Sequence, residues 1–171
     1  MRIADAHCDT LTKFPTNPFN SENAHWNISK YNEIGGKFQI FAIFTPPELS
    51  GDAATSFVTK AIGDFHRYNS GEVALVKSKD DFRHDKINIM LSIEGASPIQ
   101  QEISYLHSFY NMGVRAMGLT WKNRKNDEWL IIFTPKKVQL ATPRVSLAAQ
   151  MVQLRNFAFI LFLFVLLVFS F

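Results

Sequence analysis

Two periods of apolar and polar positions alternate along the first 126 residues, and neither continues afterwards. Ile3–Cys8 is a short apolar run with a polar end. A loop rich in Asn, Pro and Ser follows (Pro15–Ser21). A second run, Lys37–Phe44, comes after Gly35-Gly36 and stops at Pro46-Pro47, because proline cannot donate to a strand ladder. Ser50–Tyr68 then changes period. Ala54, Phe57, Val58, Ala61, Ile62 and Phe65 recur at intervals of three and four, which predicts a helix with Ser50 or Asp52 at its start. Val73–Val76 is a minor strand or a helix lead-in. Ile87–Ile93 is a third strong strand, and Pro98–Met112 is helical again, with Ile99, Ile103, Leu106, Phe109 and Tyr110 on one side. Gly113 stops that helix, and Val114–Trp121 is the fourth strong strand. Strands alternating with helices of this length predict βαβ units and a parallel sheet, an α/β fold.

The pattern ends abruptly. No glycine occurs after Gly118 and no acidic residue after Glu128. Three regions follow from this: an α/β part over 1–126, an unassigned segment over 127–155, and an apolar tail over 156–171. The tail holds 6 of the 16 Phe residues. As a helix it would span about 24 Å, against about 30 Å of bilayer hydrocarbon. It is a candidate membrane segment, with Arg155 placed to snorkel at one end. A truncated gene or a shifted reading frame would also account for the change in composition.

Charge and cysteine content narrow the field. Residues 1–126 hold 14 basic and 13 acidic residues, so the chain's net +3 is spread thinly. No basic patch interleaves with aromatics, which argues against nucleic acid as a partner. The single cysteine, Cys8, excludes an internal disulfide. Met1–His7 has no apolar signal core, so the expected location is cytoplasmic, with membrane association through the tail as the alternative. The oligomeric state is left open.

Three stretches carry candidate chemistry. His7-Cys8-Asp9 ends the first strand, where residues i and i+2 share a side, so His7 and Asp9 are expected to project together. An imidazole nitrogen beside a carboxylate is a good pair of metal donors. A strand-end His hydrogen-bonded to a nearby Asp gives the same motif. Glu94, in Ser92-Ile93-Glu94-Gly95-Ala96, follows a buried strand, where α/β barrels present reactive groups. It could bridge two metal ions or cap the next helix. Trp121 and Asn123, past the fourth strand, could line a substrate pocket or belong to an ordinary loop.

Asp5-Ala6-His7-Cys8-Asp9-Thr10, Gly35–Phe44, Ser92–Ala96 and Leu106–Trp121 stand in the order and spacing of the membrane (renal) dipeptidase family. Residues 1 to about 125 resemble the first half of such a protein. The resemblance implies a (β/α)8 TIM-like barrel, of which this chain supplies about four βα units. It implies a zinc metallodipeptidase with dipeptide substrates and two zinc ions per site. His7 and Asp9 would hold one zinc and Glu94 would bridge to the second. In the family, the metals activate the attacking water and polarise the scissile carbonyl. The two later His and the late Asp of the family have no counterparts here, so no complete catalytic set is present. At most one zinc is expected to be fully ligated. His25-Trp26-Asn27 stands where relatives often carry His-x-Asp. Impaired or absent activity is therefore expected, and a non-catalytic remnant or a tail-anchored α/β binding module is the alternative.

Overall fold

A computed structural model describes residues 3–118 and 130–132, all within one compact unit, Met1–Val138. The chain runs β1 (Ile3–Cys8), α1 (Thr10–Lys13), α2 (Ile28–Glu33), β2 (Gly36–Phe44), α3 (Gly51–Tyr68), β3 (Val73–Leu75), β4 (Ile87–Glu94), α4 (Ile103–Asn111), β5 (Val114–Gly118) and β6 (Leu130–Ile132). Single 3-10 turns stand at Lys79–Asp81 and Ser97–Ile99. The four strong strands are found as β1, β2, β4 and β5, and Val73–Val76 resolves into a strand. Leu119–Trp121, the end expected for the fourth strand, lies outside the described residues. So do Trp121 and Asn123 as site candidates and the apolar tail.

The sheet order is β1-β2-β4-β5-β6, with every pairing parallel except β5–β6. β2 pairs with β4 from Phe38↔Asn88 to Phe44↔Glu94, so it takes one whole edge of β4. The other edge is shared. β3 covers Ile87–Ile89 and β5 covers Leu91–Glu94. Where they meet, Gly113 at φ 110° lies against Leu75. A Cβ there would come within 2.8 Å of Leu75 Cδ2. Arg115 ties the junction: its Nε donates to the Lys77 carbonyl at 2.7 Å and its Nη1 to that of Tyr110 at 2.8 Å. The described sheet does not close. Ala4–His7 of β1 are exposed, as an edge strand of a half-barrel would be.

Phe41 of β2 centres the core. Trp26 meets it edge-on at 4.7 Å between centroids, and Phe19 and Phe65 complete the cluster. Phe65 comes from the predicted face of α3, where Ala54, Val58, Ala61 and Ile62 are buried with it. Phe19 and Trp26 come from segments without periodic signal. Asn27, in the altered His25-Trp26-Asn27 stretch, caps α2: its Oδ1 accepts from Lys30 N at 2.8 Å and its amide donates to the Ser21 carbonyl at 3.1 Å.

The helix expected over Pro98–Met112 is corrected. It is a 3-10 turn, a break and a shorter helix. Gln100 and Gln101 have φ of 48° and 62°, left-handed values that no right-handed helix contains. Leu106 and Phe109 are buried as expected, but Ile103 is 49% exposed, because the break resets the face of α4. Ser50 is the N-cap residue of α3, but its side chain makes no capping bond; Asp52 lies in the first turn.

Candidate metal site

β1 and β4 end at the same edge of the sheet, and their last residues meet. His7 Nε2 lies 3.5 Å from Asp9 Oδ1, and His7 Nδ1 lies 3.3 Å from Glu94 Oε1. The three ligand candidates are thus brought together from 85 residues apart in sequence. Glu94 is the last residue of β4, and its carboxylate faces His7 instead of capping the turn that follows.

The juxtaposition of His7 and Asp9 does not come from strand alternation as expected. Between Asp5 and Cys8 the register slips: three steps along β1 match two along β2. Asp9 has already left the strand and stands at the N-cap position of α1. A bulge, not the pleat, turns the two side chains toward each other. Asp5 fastens it by accepting from His7 N at 3.1 Å. Sequence reasoning missed Asp5. Its only signal is an acid two residues before the His, as Asp9 is two after.

Glu94 is held from both flanks. Thr45 N donates to its carbonyl at 2.9 Å, and Gly95 N donates to the Gly118 carbonyl at 2.9 Å. Gly95 sits at φ 101°, where an L side chain is strained, so the chain can swing out of the sheet directly after the carboxylate. Burial pushes the Glu94 carboxyl above the ordinary carboxylate range; His7 opposes this and Asp9 adds to it. Burial likewise pushes the Cys8 thiol up to about 11, so in the metal-free protein its sulfur is protonated at neutral pH.

The donor set is one imidazole and two carboxylates, which suits a divalent cation. Two donors about 2.1 Å from a tetrahedral ion stand about 3.4 Å apart, and the His7–Asp9 separation of 3.5 Å fits that edge. Glu94 faces the opposite ring nitrogen, so the imidazole lies between the two carboxylates. As the side chains stand, no three His, Cys, Asp or Glu groups among the described residues are arranged to hold one ion. The other histidines are elsewhere. His66 packs on Phe65 and His84 on Phe82, while His25 and His107 are exposed.

A parallel α/β sheet with an acidic, imidazole-bearing cluster at the carboxyl ends of its strands belongs to the class that carries chemistry at that edge. The model of the membrane dipeptidases, peptidase family M19, matches residues 1–142, and the chain belongs to this family. Its structure is similar to the dipeptidase AC, a metallopeptidase of family M19 (21% identity, TM-score 0.60, 71% of this chain and 43% of that one). It is also similar to a metallopeptidase from Rhodobacter sphaeroides liganded with a phosphinate mimic of the dipeptide L-Ala-D-Ala (18% identity, TM-score 0.63, 71% and 46%). The chain therefore spans less than half the length of these solved relatives. At these identities the likeness is one of fold. No curated protein matches the chain.

Proposed function

We propose that this chain serves metal-dependent hydrolysis of dipeptides and contributes the first metal half-site, with His7 and Asp9 as ligands of a zinc ion and the Glu94 carboxylate turning from the far ring nitrogen to join them. The carrying observation is the approach of His7 to both Asp9 and Glu94 at the carboxyl ends of β1 and β4. Family membership over residues 1–142 supports the reaction class. The dipeptide mimic held by the Rhodobacter sphaeroides relative supports the substrate class. When bound, the metal would polarise the scissile carbonyl and acidify the attacking water. His7 and Asp9 would fix its position, and Glu94, the partly desolvated carboxylate, would complete the ligand set from the strand next but one in the sheet.

A second reading is a half-site without turnover. The position of the other four histidines favours it, since none of them supplements the cluster. Zinc titration with parallel assay of L-Ala-D-Ala hydrolysis separates the two. Stoichiometric zinc with hydrolysis supports the enzyme. One zinc per chain without hydrolysis supports the half-site. No zinc binding, or binding that survives His7→Ala, overturns the ligand assignment.

A further inference from the structure

Between α1 and α3 lies a cleft of about 200 Å³ whose lining includes none of the metal-ligand candidates. Leu11 and Pro15 form one wall. Phe57, Lys60, Ala61 and Asp64 form the other, spaced so that they share one face of α3. The first wall is built before any ligand arrives. Thr10 Oγ1 donates to the Pro18 carbonyl at 2.9 Å and Asn17 N to that of Phe14 at 3.0 Å, which ties down the loop carrying Pro15.

Two opposite charges stand in this apolar cleft. The Asp64 side chain is 8% exposed and that of Lys60 is 69% exposed, with Nζ 2.6 Å from Asp64 Oδ2. Among the described residues no other donor reaches the Asp64 carboxylate. An ionised carboxylate can accept about four hydrogen bonds, so this one is underused. As a brace for α3 the pair is poorly made. The lysine precedes the acid by four residues, the weaker orientation along a helix. Its ammonium lies largely in water, where such pairs contribute little. A carboxylate held out of water for so little return is a cost to the fold. An apolar pocket with a few converging polar groups is the usual make-up of a small-molecule site.

We propose that this cleft binds a free α-amino acid with an apolar side chain of about the size of leucine. The ligand's ammonium would donate to Asp64, its carboxylate would accept from Lys60, and its side chain would lie on Leu11, Pro15, Phe57 and Ala61. Lys60 has only to swing outward on its exposed stem, and one ion pair becomes two. A simple amine would satisfy Asp64 but leave Lys60 unpaired. A simple carboxylate would meet Lys60 but face the like charge of Asp64. A zwitterion answers both. Dipeptide hydrolysis as proposed above releases ligands of this class, but the binding itself does not depend on that reaction.

Saturation-transfer NMR on the full chain tests it, with a chelator present so that no metal takes part. L-leucine is titrated beside three compounds that each lack one contact: glycine without the side chain, isoamylamine without the carboxylate, and isocaproate without the ammonium. The expected Kd for leucine is on the order of 1 mM, as suits so small a ligand. Each of the other three should bind at least about tenfold more weakly, and Asp64→Asn and Lys60→Gln should each raise the leucine Kd about 10- to 100-fold, the size of one charge-assisted hydrogen bond. No leucine binding at about 20 mM overturns the proposal. So does isoamylamine or glycine matching leucine, or leucine binding unchanged in both variants. Should a variant fail to fold, the comparison of the four ligands on the parent chain still decides.

Discussion

Asn88 and Glu94 sit six residues apart on the same strand and share a partner strand, yet their surroundings are opposite. Asn88, near the start of β4, is fully buried and saturated. Its Oδ1 accepts from Arg83 N at 2.7 Å, and its Nδ2 lies within 3.1 Å of the carbonyls of Lys37, Arg83 and Lys86. Glu94, at the other end, keeps 25% of its side chain exposed and has its carboxyl held in a less ionised state by burial. The loop after it contains the strained Gln100 and Gln101. One end of β4 is built to close the fold and the other to leave a charged group underused. In parallel α/β folds that division separates stability from chemistry.

The largest effect should come from the saturated end. Asn88→Ala removes the partner of one backbone N–H and of up to three carbonyls around a fully buried side chain. At about 1–3 kcal/mol for each group left unpaired, the loss is expected to exceed about 3 kcal/mol. Urea denaturation reads it, and a loss under about 1 kcal/mol would erase the contrast between the two ends. At the open end His7→Ala should do the reverse. His7 is 51% exposed, so little packing is lost and stability should shift by about 0.5 kcal/mol or less, while zinc binding disappears. A variant that unfolds would show that the cluster has a structural role.

How much of this contrast is visible in the sequence depends on what carries it. The parallel order of β1, β2, β4 and β5 follows from runs of apolar residues separated by a helical period, and those periods are strong. His7, Asp9 and Glu94 were recognisable as types at strand ends. Their meeting through a bulge was not, because a one-residue slip leaves composition and spacing untouched. The break at Gln100 is hidden for a related reason. Ile99, Ile103 and Leu106 keep helical spacing across it, so the pattern reads as continuous while the backbone reverses hand. Phe19 and Trp26 enter the core from loops, where burial has no period. The antiparallel β6 lies in the part of the chain where patterning had already faded.

A smaller effect concerns Glu94 in the absence of metal. Its folded pKa is raised, so the stability it contributes is present below its ordinary value of 4.5 and is lost as pH climbs through the raised folded value. At neutral pH the ionised carboxylate is thus a net burden on the metal-free fold. Glu94→Gln should melt higher than the parent at pH 7 and show a flatter profile of melting midpoint against pH from 4.5 upward. A parent profile that rises with pH over that range would contradict the sign.

The smallest effect tests whether the open end is chemically permissive throughout or only at its charged groups. Cys8 lies between two proposed ligands, in the exposed edge strand, where a reactive thiolate would be unsurprising. Its thiol is nonetheless pushed up to about 11, first by burial and then by the carboxylates of Asp5 and Asp9, with a backbone hydrogen bond from Thr10 opposing them. The strand therefore separates its functions by residue: His7 reaches the carboxylates while Cys8 is half-buried. Alkylation by iodoacetamide should accordingly be about a hundredfold slower at pH 8 than for an unhindered thiol of pKa near 8.5, and should accelerate only as pH approaches 11. Alkylation at the rate of a free thiol would mean that β1 frays in solution, and the distance between His7 and Glu94 would then describe one state among several instead of a held site.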